Sequence, residues 1–288
     1  MATQNPTPIH QAVQDYYGNV AREAGPCCES SSESSSCCGS GGSTEKIQNE
    51  LYPAELLAAL PAEVANFTAG SGDPISLAKL TPGETVLDLG SGGGLDCFLA
   101  AKQVGISGHV IGVDMTAEML ARARSNQARL NAGNVEFRQG FLEALPVDDN
   151  SIDVIVSNCV INLSPDKPQV FREMFRTLKP GGRIAVSDMV ANHPLPEEAG
   201  KEEGWCNCTS GALTDEAYNH ELTKAGFVDI HLEPNIALVM KAVESGRVRP
   251  AQNFTKEKML EDLHQWEKCD RTMVVPHQIT ASKPAEKD

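Results

Sequence analysis

The sequence predicts an α/β protein whose mostly parallel sheet carries helices on both faces. Two observations lead to this fold class. From Glu84 onward, short apolar runs that suit buried strands alternate with longer segments of helical spacing. The first apolar run also ends in a glycine-rich stretch, GSGGG, directly before a helical segment. Strands that alternate with helices form parallel sheets whose two faces are both covered.

The first half of this pattern contains three strands and two helices. ETVLDLG is the first strand, DCFLAAKQVG a helix and HVIGVDM the second strand. TAEMLARARSNQARLNAG follows as a helix that begins after Thr116, a residue type that favours the N-cap, and stops at Gly133. NVEFRQG is the third strand.

The second half continues in the same order. SIDVIVSN is the fourth strand, and KPQVFREMFRTLKPGG is a helix ended by Pro180 and two glycines. RIAVSDMV is the fifth strand. DEAYNHELTKAGFVDIHLEP adds a helix, a turn at Gly226 and one more strand.

Three parts are expected along the chain. Residues 1–50 contain a helix within the first 18 residues and a Ser/Gly/Glu-rich segment whose composition predicts a mobile loop or a disordered linker. Residues 51–240 form the main domain, which starts with two short helices separated at Pro61 and carries an insertion near 190–215. Residues 241–288 form a C-terminal extension without a clear pattern. Two Cys–Cys pairs lie in the first part: Cys27, Cys28, Cys37 and Cys38.

Composition excludes several kinds of partner. The 288 residues carry a formal net charge of -15, which argues against nucleic acid and anionic membranes. No apolar run has the length of a membrane span, and the N-terminus lacks the features of a signal peptide. We therefore expect a cytoplasmic protein. The nine cysteines, an odd number, favour free thiols or ligands over a disulfide framework.

The glycine-rich stretch predicts a cofactor loop. Asp88, Gly90, Gly92 and Gly94 occupy alternate positions after the first strand, where glycines allow a tight turn and close approach of a ligand. The spacing GxGxG differs from the GxGxxG of dinucleotide sites, and an acid before the first glycine suits a cofactor with a cationic amino group. Asp114 ends the second strand at the spacing expected of a ribose-binding acid. In GFLEALP, Phe141 and Leu142 suit the two sides of an adenine ring, or ordinary packing.

Cysteines follow the fourth and fifth strands. Cys159 lies in SNCVINLSPDK, directly after the fourth strand, and ligands of parallel sheets bind outside the carboxyl ends of the strands. A buried cysteine that only fills space is the alternative. Cys206 and Cys208 lie in GWCNCTSGAL, after the fifth strand. Two converging thiols favour a soft, thiophilic substrate. Trivalent arsenic fits, because it binds thiolates and keeps a lone pair that can attack a sulfonium methyl group.

Several motifs together resemble known families. VLDLGSGGGLDCFLAA, VIGVDMTAEML, GFLEALP and LKPGG resemble the class I S-adenosylmethionine-dependent methyltransferases from about Leu80 to Glu233, which implies a Rossmann-like fold. With SNCVINLSPDK, CTSGA and the early YYG at Tyr16 to Gly18, the set resembles the arsenite methyltransferases. That resemblance implies S-adenosylmethionine as cofactor, arsenic detoxification as role, and glutathione or thioredoxin as thiol reductant. We also expect a monomer.

The resemblance implies site residues. Cys159 and Cys208 are the implied arsenic ligands and catalytic residues, whereas Cys206 lies outside the CTSGA pattern and Cys97 is expected to pack between helix and sheet. The predicted cofactor-binding residues are Tyr17, Gly18, Asp88, Gly90, Gly92, Gly94, Asp114, Met115, Phe141, Leu142 and Asn158.

One segment departs from the family pattern. The arsenite methyltransferases usually have Gly-Cys-Gly-Asn-Pro before the first strand, and here the residues from Gly70 to Pro74 read GSGDP. Ser71 therefore replaces the third cysteine, and a hydroxyl is a poor arsenic ligand. Either the substrate already carries a methyl group, or Cys37, Cys38 or a small thiol supplies the third sulfur, or arsenic methylation is lost.

Two other functions remain open at this point. One is a small-molecule C- or O-methyltransferase of the same fold, which would need a general base or a shaped apolar pocket near Asn158. The other is a non-catalytic metalloid-binding protein, in which the cysteine-rich loop is the functional part.

Overall fold

The structure is a computed structural model, and it describes residues 6–23, 51–58, 60–65, 67, 70–196, 208–245, 255–270 and 272–286. Seven strands lie in one sheet. They are β1 (Thr85–Leu89), β2 (His109–Asp114), β3 (Val135–Gln139), β4 (Ile152–Asn158), β5 (Leu178–Ala191), β6 (Val228–Pro234) and β7 (Val274–Ser282). Their order across the sheet is β3-β2-β1-β4-β5-β7-β6.

The sheet is mostly parallel. β1 pairs in parallel with β2 and with β4, β2 with β3, and β4 with β5, whereas β7 runs antiparallel between β5 and β6. Parallel pairing brings the carboxyl ends of β1, β2 and β4 to one edge of the sheet. The predicted α/β class and the Rossmann-like class I methyltransferase fold are confirmed.

Ten helices are described. They are α1 (Pro8–Glu23), α2 (Ala54–Leu57), α3 (Ala62–Ala65), α4 (Pro74–Ala78), α5 (Leu95–Val104), α6 (Ala117–Leu130), α7 (Lys167–Thr177), α8 (Asp215–Ala225), α9 (Ile236–Glu244) and α10 (Lys256–His264), with short 3-10 turns at Ile161–Leu163 and Trp266–Lys268. None of them is long and apolar enough to cross a membrane.

Apolar side chains cover both faces of the sheet. Val86 of β1 packs with Phe98 of α5 in one buried cluster. Leu87, the next residue of β1, packs with Phe171 of α7 and Tyr218 of α8 in another. Neighbouring residues of a strand point to opposite faces, so β1 holds the two layers of helices together.

Helix ends differ from the sequence-based expectation at three places. α1 begins at Pro8 and runs to Glu23, beyond the predicted first 18 residues. α6 ends at Leu130, and its C-cap residue Asn131 adopts φ of 51°, so the helix stops before the expected Gly133. α7 ends at Thr177 and not at Pro180, because Leu178 is already extended and begins β5.

Like α9 and α10, β7 is an element that the sequence pattern did not predict. It comes from residues assigned to the C-terminal extension, yet it pairs with nine residues of β5, from Arg183 to Ala191. Alternate residues of β7 are buried. Pro276 and the fully buried His277 obscure this alternation in the sequence, because neither residue type is typical of a strand interior.

Candidate active site

A cavity opens where β1, β2 and β4 end. Its wall includes eight of the predicted site residues: Tyr17, Gly90, Gly92, Asp114, Met115, Leu142, Asn158 and Cys159. Residues far apart in the sequence therefore share one site. Among the described residues, Gly18, Asp88, Gly94, Phe141 and Cys208 do not line this cavity.

The glycine-rich loop needs glycine for two physical reasons. Gly90 has φ of +68°, a conformation that other residues rarely adopt. A Cβ atom at Gly90 would lie 2.4 Å from Cγ2 of Val160, inside van der Waals contact. Gly94 is the N-cap of α5, with φ of +92°. The loop thus keeps open a narrow space between β1 and the residues after β4.

Asp114 holds the loop in place. Its Oδ2 accepts a hydrogen bond from the Gly92 N–H at 2.9 Å, and its Oδ1 accepts one from the Thr116 N–H at 2.8 Å. Burial raises the pKa of Asp114, while these backbone bonds favour its ionised form. A carboxylate at this edge of the sheet has lone pairs left for further hydroxyl donors.

Asp88 lies behind the cavity wall. It is 2% exposed, and the Cys97 thiol donates a hydrogen bond to its Oδ2 at 3.1 Å. Burial, and then the nearby Asp96 carboxyl, raise the pKa of Asp88. Cys97 is fully buried in the cluster between α5 and the sheet.

Asp96 also lines the cavity, and the sequence analysis missed it. Its Oδ1 accepts from the Tyr52 hydroxyl at 2.8 Å, and its Oδ2 from Nδ2 of Asn158 at 3.3 Å. Burial raises its pKa to about 7. Its place in the first turn of α5, just after the glycines, is the signal that could have identified it.

Helix α1 forms one side of the cavity. His10, Val13 and Tyr17 line the wall, at the spacing of one helix face. His10 Nε2 lies 3.1 Å from Oε1 of Glu143, which also accepts a hydrogen bond from the Ser164 hydroxyl. The sequence analysis did not identify His10 or Glu143.

Two predicted cofactor-binding residues, Phe141 and Gly18, lie just outside the cavity wall. The ring of Phe141 packs on His10 with centroids 4.8 Å apart. Gly18 packs against Glu118, whose Oε2 would lie 3.4 Å from a Cβ atom added there. Both residues therefore support α1 and not the cavity surface itself.

Cys159 and Cys208 lie together. The Cys208 thiol donates to the backbone carbonyl oxygen of Cys159 at 2.7 Å. The two cysteines are 8% and 3% exposed, in an apolar cluster with Val13 and Leu163. Hydrogen bonding with the neighbouring Cys159 side chain, and then burial, raise the pKa of Cys208, and a hydrogen bond with Tyr17 opposes this effect.

Both cysteines have unusual backbone conformations. Their φ angles are +60° for Cys159 and +59° for Cys208. The left-handed region costs free energy for a residue with a Cβ atom, and such strain is common where a side chain must be aimed for function.

Ser71 contacts the last residue of β4 and the middle of β5, at Asn158 and Ser187. Its N–H donates to Oδ1 of Asn158 at 2.8 Å, and its hydroxyl oxygen is 3.4 Å from that of Ser187. The Cys159 N–H in turn donates to the Ser187 carbonyl oxygen at 2.7 Å. The segment that carries a cysteine in the arsenite methyltransferase pattern therefore bonds to Asn158, the residue before Cys159, but brings a hydroxyl group.

The remaining predicted thiols, Cys37 and Cys38, fall outside the described residues, as do Cys27, Cys28 and Cys206. Within the described residues, no group of three His, Cys, Asp or Glu side chains has the geometry of a metal site.

The comparison with protein families agrees with this arrangement. The family model described as a methyltransferase domain matches residues 80–226, which span β1 to the end of α8. The chain belongs to the methyltransferase-domain family. The match covers the glycine-rich loop, Asp96, Asp114, Cys159 and Cys208.

This methyltransferase domain is similar to curated arsenite methyltransferases. The arsenite methyltransferase of Halobacterium salinarum is 41% identical over 239 residues, which cover 81% of this chain and 61% of that protein. The human arsenite methyltransferase is 34% identical over 223 residues, which cover 74% of this chain and 56% of that protein. The chain thus spans about three fifths of the length of these relatives.

A solved structure shows the same likeness. An arsenic (III) S-adenosylmethionine methyltransferase from Chlamydomonas reinhardtii matches with a TM-score of 0.59 and 32% identity. The match covers 85% of this chain and 74% of that one.

Proposed function

We propose that this methyltransferase domain transfers a methyl group from S-adenosylmethionine to trivalent arsenic held by Cys159 and Cys208. The observation that carries the proposal is the buried thiol pair. Cys159 lines the cavity, and the Cys208 thiol lies 2.7 Å from the Cys159 carbonyl oxygen. The similarity to arsenite methyltransferases supports the same substrate.

The cavity suits S-adenosylmethionine in shape and charge. Gly90 and Gly92 line the cavity without side chains, so a ligand can approach their backbone closely. Asp114 would hold ribose hydroxyl groups, and Leu142 and Met115 would pack on the adenine ring. The acidic group at the cavity wall, Asp96, would face the cationic amino group, with Asp88 one layer behind. The cofactor supplies an electrophilic methyl group by its own chemistry.

The thiol pair would hold the substrate. A trivalent arsenical exchanges two hydroxyl groups for two sulfur ligands, and each thiol proton leaves with a hydroxyl group as water. The arsenic keeps its lone pair, so attack on a methyl group needs no general base. Apolar neighbours such as Val13 and Leu163 exclude water from the sulfur ligands. Positioning then supplies most of the rate acceleration.

Ser71 favours a substrate that needs only two sulfur ligands. Methylarsenite, CH3As(OH)2, has two exchangeable hydroxyl groups, which match Cys159 and Cys208. Arsenite has three, and its third position would need a sulfur from Cys37, Cys38 or a small thiol. We therefore propose that methylarsenite is preferred, that a thiol such as glutathione or thioredoxin acts as reductant, and that the reaction serves arsenic detoxification.

Product analysis tests this function. Purified protein is incubated with S-adenosylmethionine and thiol, with arsenite in one vessel and methylarsenite in another, and the arsenicals are separated with arsenic-specific detection. We expect turnover of methylarsenite and little turnover of arsenite, and Ser71→Cys should restore arsenite turnover. Ser71→Ala is the matched control, since it removes the hydroxyl without adding sulfur.

Other outcomes would change the proposal. Both substrates could instead be turned over equally. If replacing Cys37 and Cys38 by serine then abolished arsenite turnover, the third sulfur would be assigned to these two cysteines. No methylated product from either substrate would contradict arsenic methylation and favour a small-molecule methyltransferase.

A further inference from the structure

Asn162 and Asp188 are buried polar residues beside the thiol pair that the proposed reaction does not use. Both are fully buried, at 0% exposure. Asn162 lies in the SNCVINLSPDK motif, three residues after Cys159, and Asp188 lies in β5. A buried amide and a buried carboxyl group are costly unless their hydrogen bonds serve the structure around them.

Asn162 joins three elements through one amide nitrogen. Its Nδ2 lies 2.6 Å from the Met189 carbonyl oxygen, 2.9 Å from Oδ1 of Asp188 and 3.3 Å from the Cys208 carbonyl oxygen. An amide nitrogen has two hydrogens, so one of them is shared between acceptors. The backbone of Cys208 is thereby tied to β5.

Asp188 fixes the other end of this connection. Its Oδ1 also accepts a hydrogen bond from the Met189 N–H at 2.8 Å. Burial raises the pKa of Asp188 to about 7, and the bond from Met189 and the positive charge of the buried Lys167 oppose this rise. Asp188 therefore has a defined position within the strand and a nearby positive charge.

The same short part of β5 also fixes Cys159. The Cys159 N–H donates to the Ser187 carbonyl oxygen at 2.7 Å. Residues 187–189 of β5 thus hold Cys159 directly and Cys208 through Asn162. Both cysteines have left-handed backbone conformations, which neighbouring bonds must stabilise.

We propose that Asn162 and Asp188 are positioning residues that hold the Cys208 backbone against β5 and so set the spacing of the two thiols for a trivalent arsenical. This inference rests on the proposed function. It assigns no chemical step to either residue. Without the connection, Cys208 would relax from its left-handed conformation and the thiols would bind arsenic separately.

The test uses phenylarsine oxide, a trivalent arsenical that bridges two close thiols and releases one water. The full chain is treated with increasing phenylarsine oxide and then with N-ethylmaleimide. Peptide mass spectrometry measures the protection of Cys159 and Cys208 individually, so arsenic bound at other cysteines does not interfere. S-adenosylhomocysteine affinity and the melting temperature are measured on the same samples.

For Asn162→Ala we expect the phenylarsine oxide concentration for half protection to rise about tenfold, the effect of one lost buried hydrogen bond. S-adenosylhomocysteine affinity should stay unchanged. Asn134→Ala is the matched control, because the Asn134 amide also donates to two backbone carbonyl oxygens, those of Ala101 at 3.2 Å and Gly105 at 2.9 Å, away from the thiols. It should leave protection unchanged.

A second pair of variants separates positioning from general stability. Asp188→Ala should weaken the protection of the two thiols as Asn162→Ala does. Asp188→Asn keeps an acceptor oxygen for Asn162, so its protection should equal that of the unmodified chain. If Asn162→Ala misfolds and loses S-adenosylhomocysteine binding, the two Asp188 variants test the positioning role in its place. Unchanged protection in a folded Asn162→Ala, or no rescue by Asp188→Asn, would overturn the inference. No protection of Cys159 and Cys208 in the unmodified chain would overturn the proposed arsenical site as well.

Discussion

The cofactor side and the thiol side of the cavity are built in different ways. Much of the cofactor side comes from one stretch of about 30 residues, from β1 through the glycine-rich loop to Thr116, in which Asp114 bonds to Gly92 and Thr116. The thiol side combines Ser71, Cys159 and Cys208, which come from three separate segments that meet at β4 and β5. The first depends on local backbone geometry and the second on tertiary packing. From the proposed function we therefore expect that a single substitution, Ser71→Cys, changes substrate choice without disturbing cofactor binding.

The largest expected effect is the loss of arsenical methylation when either thiol is replaced. Cys159→Ser and Cys208→Ser should each lower methylation of arsenicals by at least about 100-fold, because a hydroxyl is a poor arsenic ligand and the substrate is no longer aligned. S-adenosylhomocysteine affinity, measured by calorimetry, should be unchanged. Cys269→Ser, at another buried cysteine, is the control and should keep its activity. Equal activity of all three variants would contradict a two-thiol site.

The reverse experiment disrupts the cofactor side. Gly90→Ala should weaken S-adenosylhomocysteine binding about 30-fold, since its Cβ atom would collide with Val160. Phenylarsine oxide should still protect both thiols. Gly105→Ala is matched in φ, which is +68° as at Gly90, but has open space around it. It should lower the melting temperature without changing affinity. Similar affinities for the two variants would show that the close approach at Gly90 is not required.

The carboxyl group of Asp96 predicts a pH dependence of cofactor binding. Burial raises the pKa of Asp96 to about 7, so its carboxylate is ionised above that pH and becomes neutral below it. If it binds a cationic amino group, S-adenosylhomocysteine affinity should fall about tenfold from pH 8 to pH 6. Asp96→Asn should be weaker at pH 8 and nearly independent of pH. The same slope in Asp96→Asn would assign the dependence to another group.

The smallest expected effect comes from α1, the helix that borders both the cofactor side and the thiol side of the cavity. His10→Ala removes the buried contact with Glu143 and should lower the free energy of unfolding by about 1 kcal/mol. S-adenosylhomocysteine affinity should fall about threefold, because α1 then packs less firmly. Gln11→Ala, on the exposed side of the same helix, is the control. Chemical denaturation and calorimetry measure both effects, and equal values for the two variants would contradict the role of His10.

Sequence patterns predicted the parts of the molecule that are governed by local rules. β1 to β6, the glycine-rich loop and Asp114 follow from apolar runs, glycine spacing and strand ends. Asp96 was missed because an acid in the first turn of a helix is also common for reasons unrelated to binding. The contact between Cys159 and Cys208 depends on how β4 and the residues after β5 pack, and motif resemblance could indicate it but not its geometry. β7 was missed because Pro276 and His277 interrupt its apolar alternation.

The position of β7 also has a consequence for synthesis of the protein. β6 leaves the ribosome about 40 residues before β7, yet β7 separates it from β5 in the sheet. Until β7 arrives, β5 and β6 each expose an edge that can pair with another chain. β5 also carries the residues on which both thiols depend. The strands of the cofactor side, β1 and β2, are therefore made and can pair well before β5 gains its second neighbour in the sheet. Chaperones that shield open sheet edges should act on this protein during that interval.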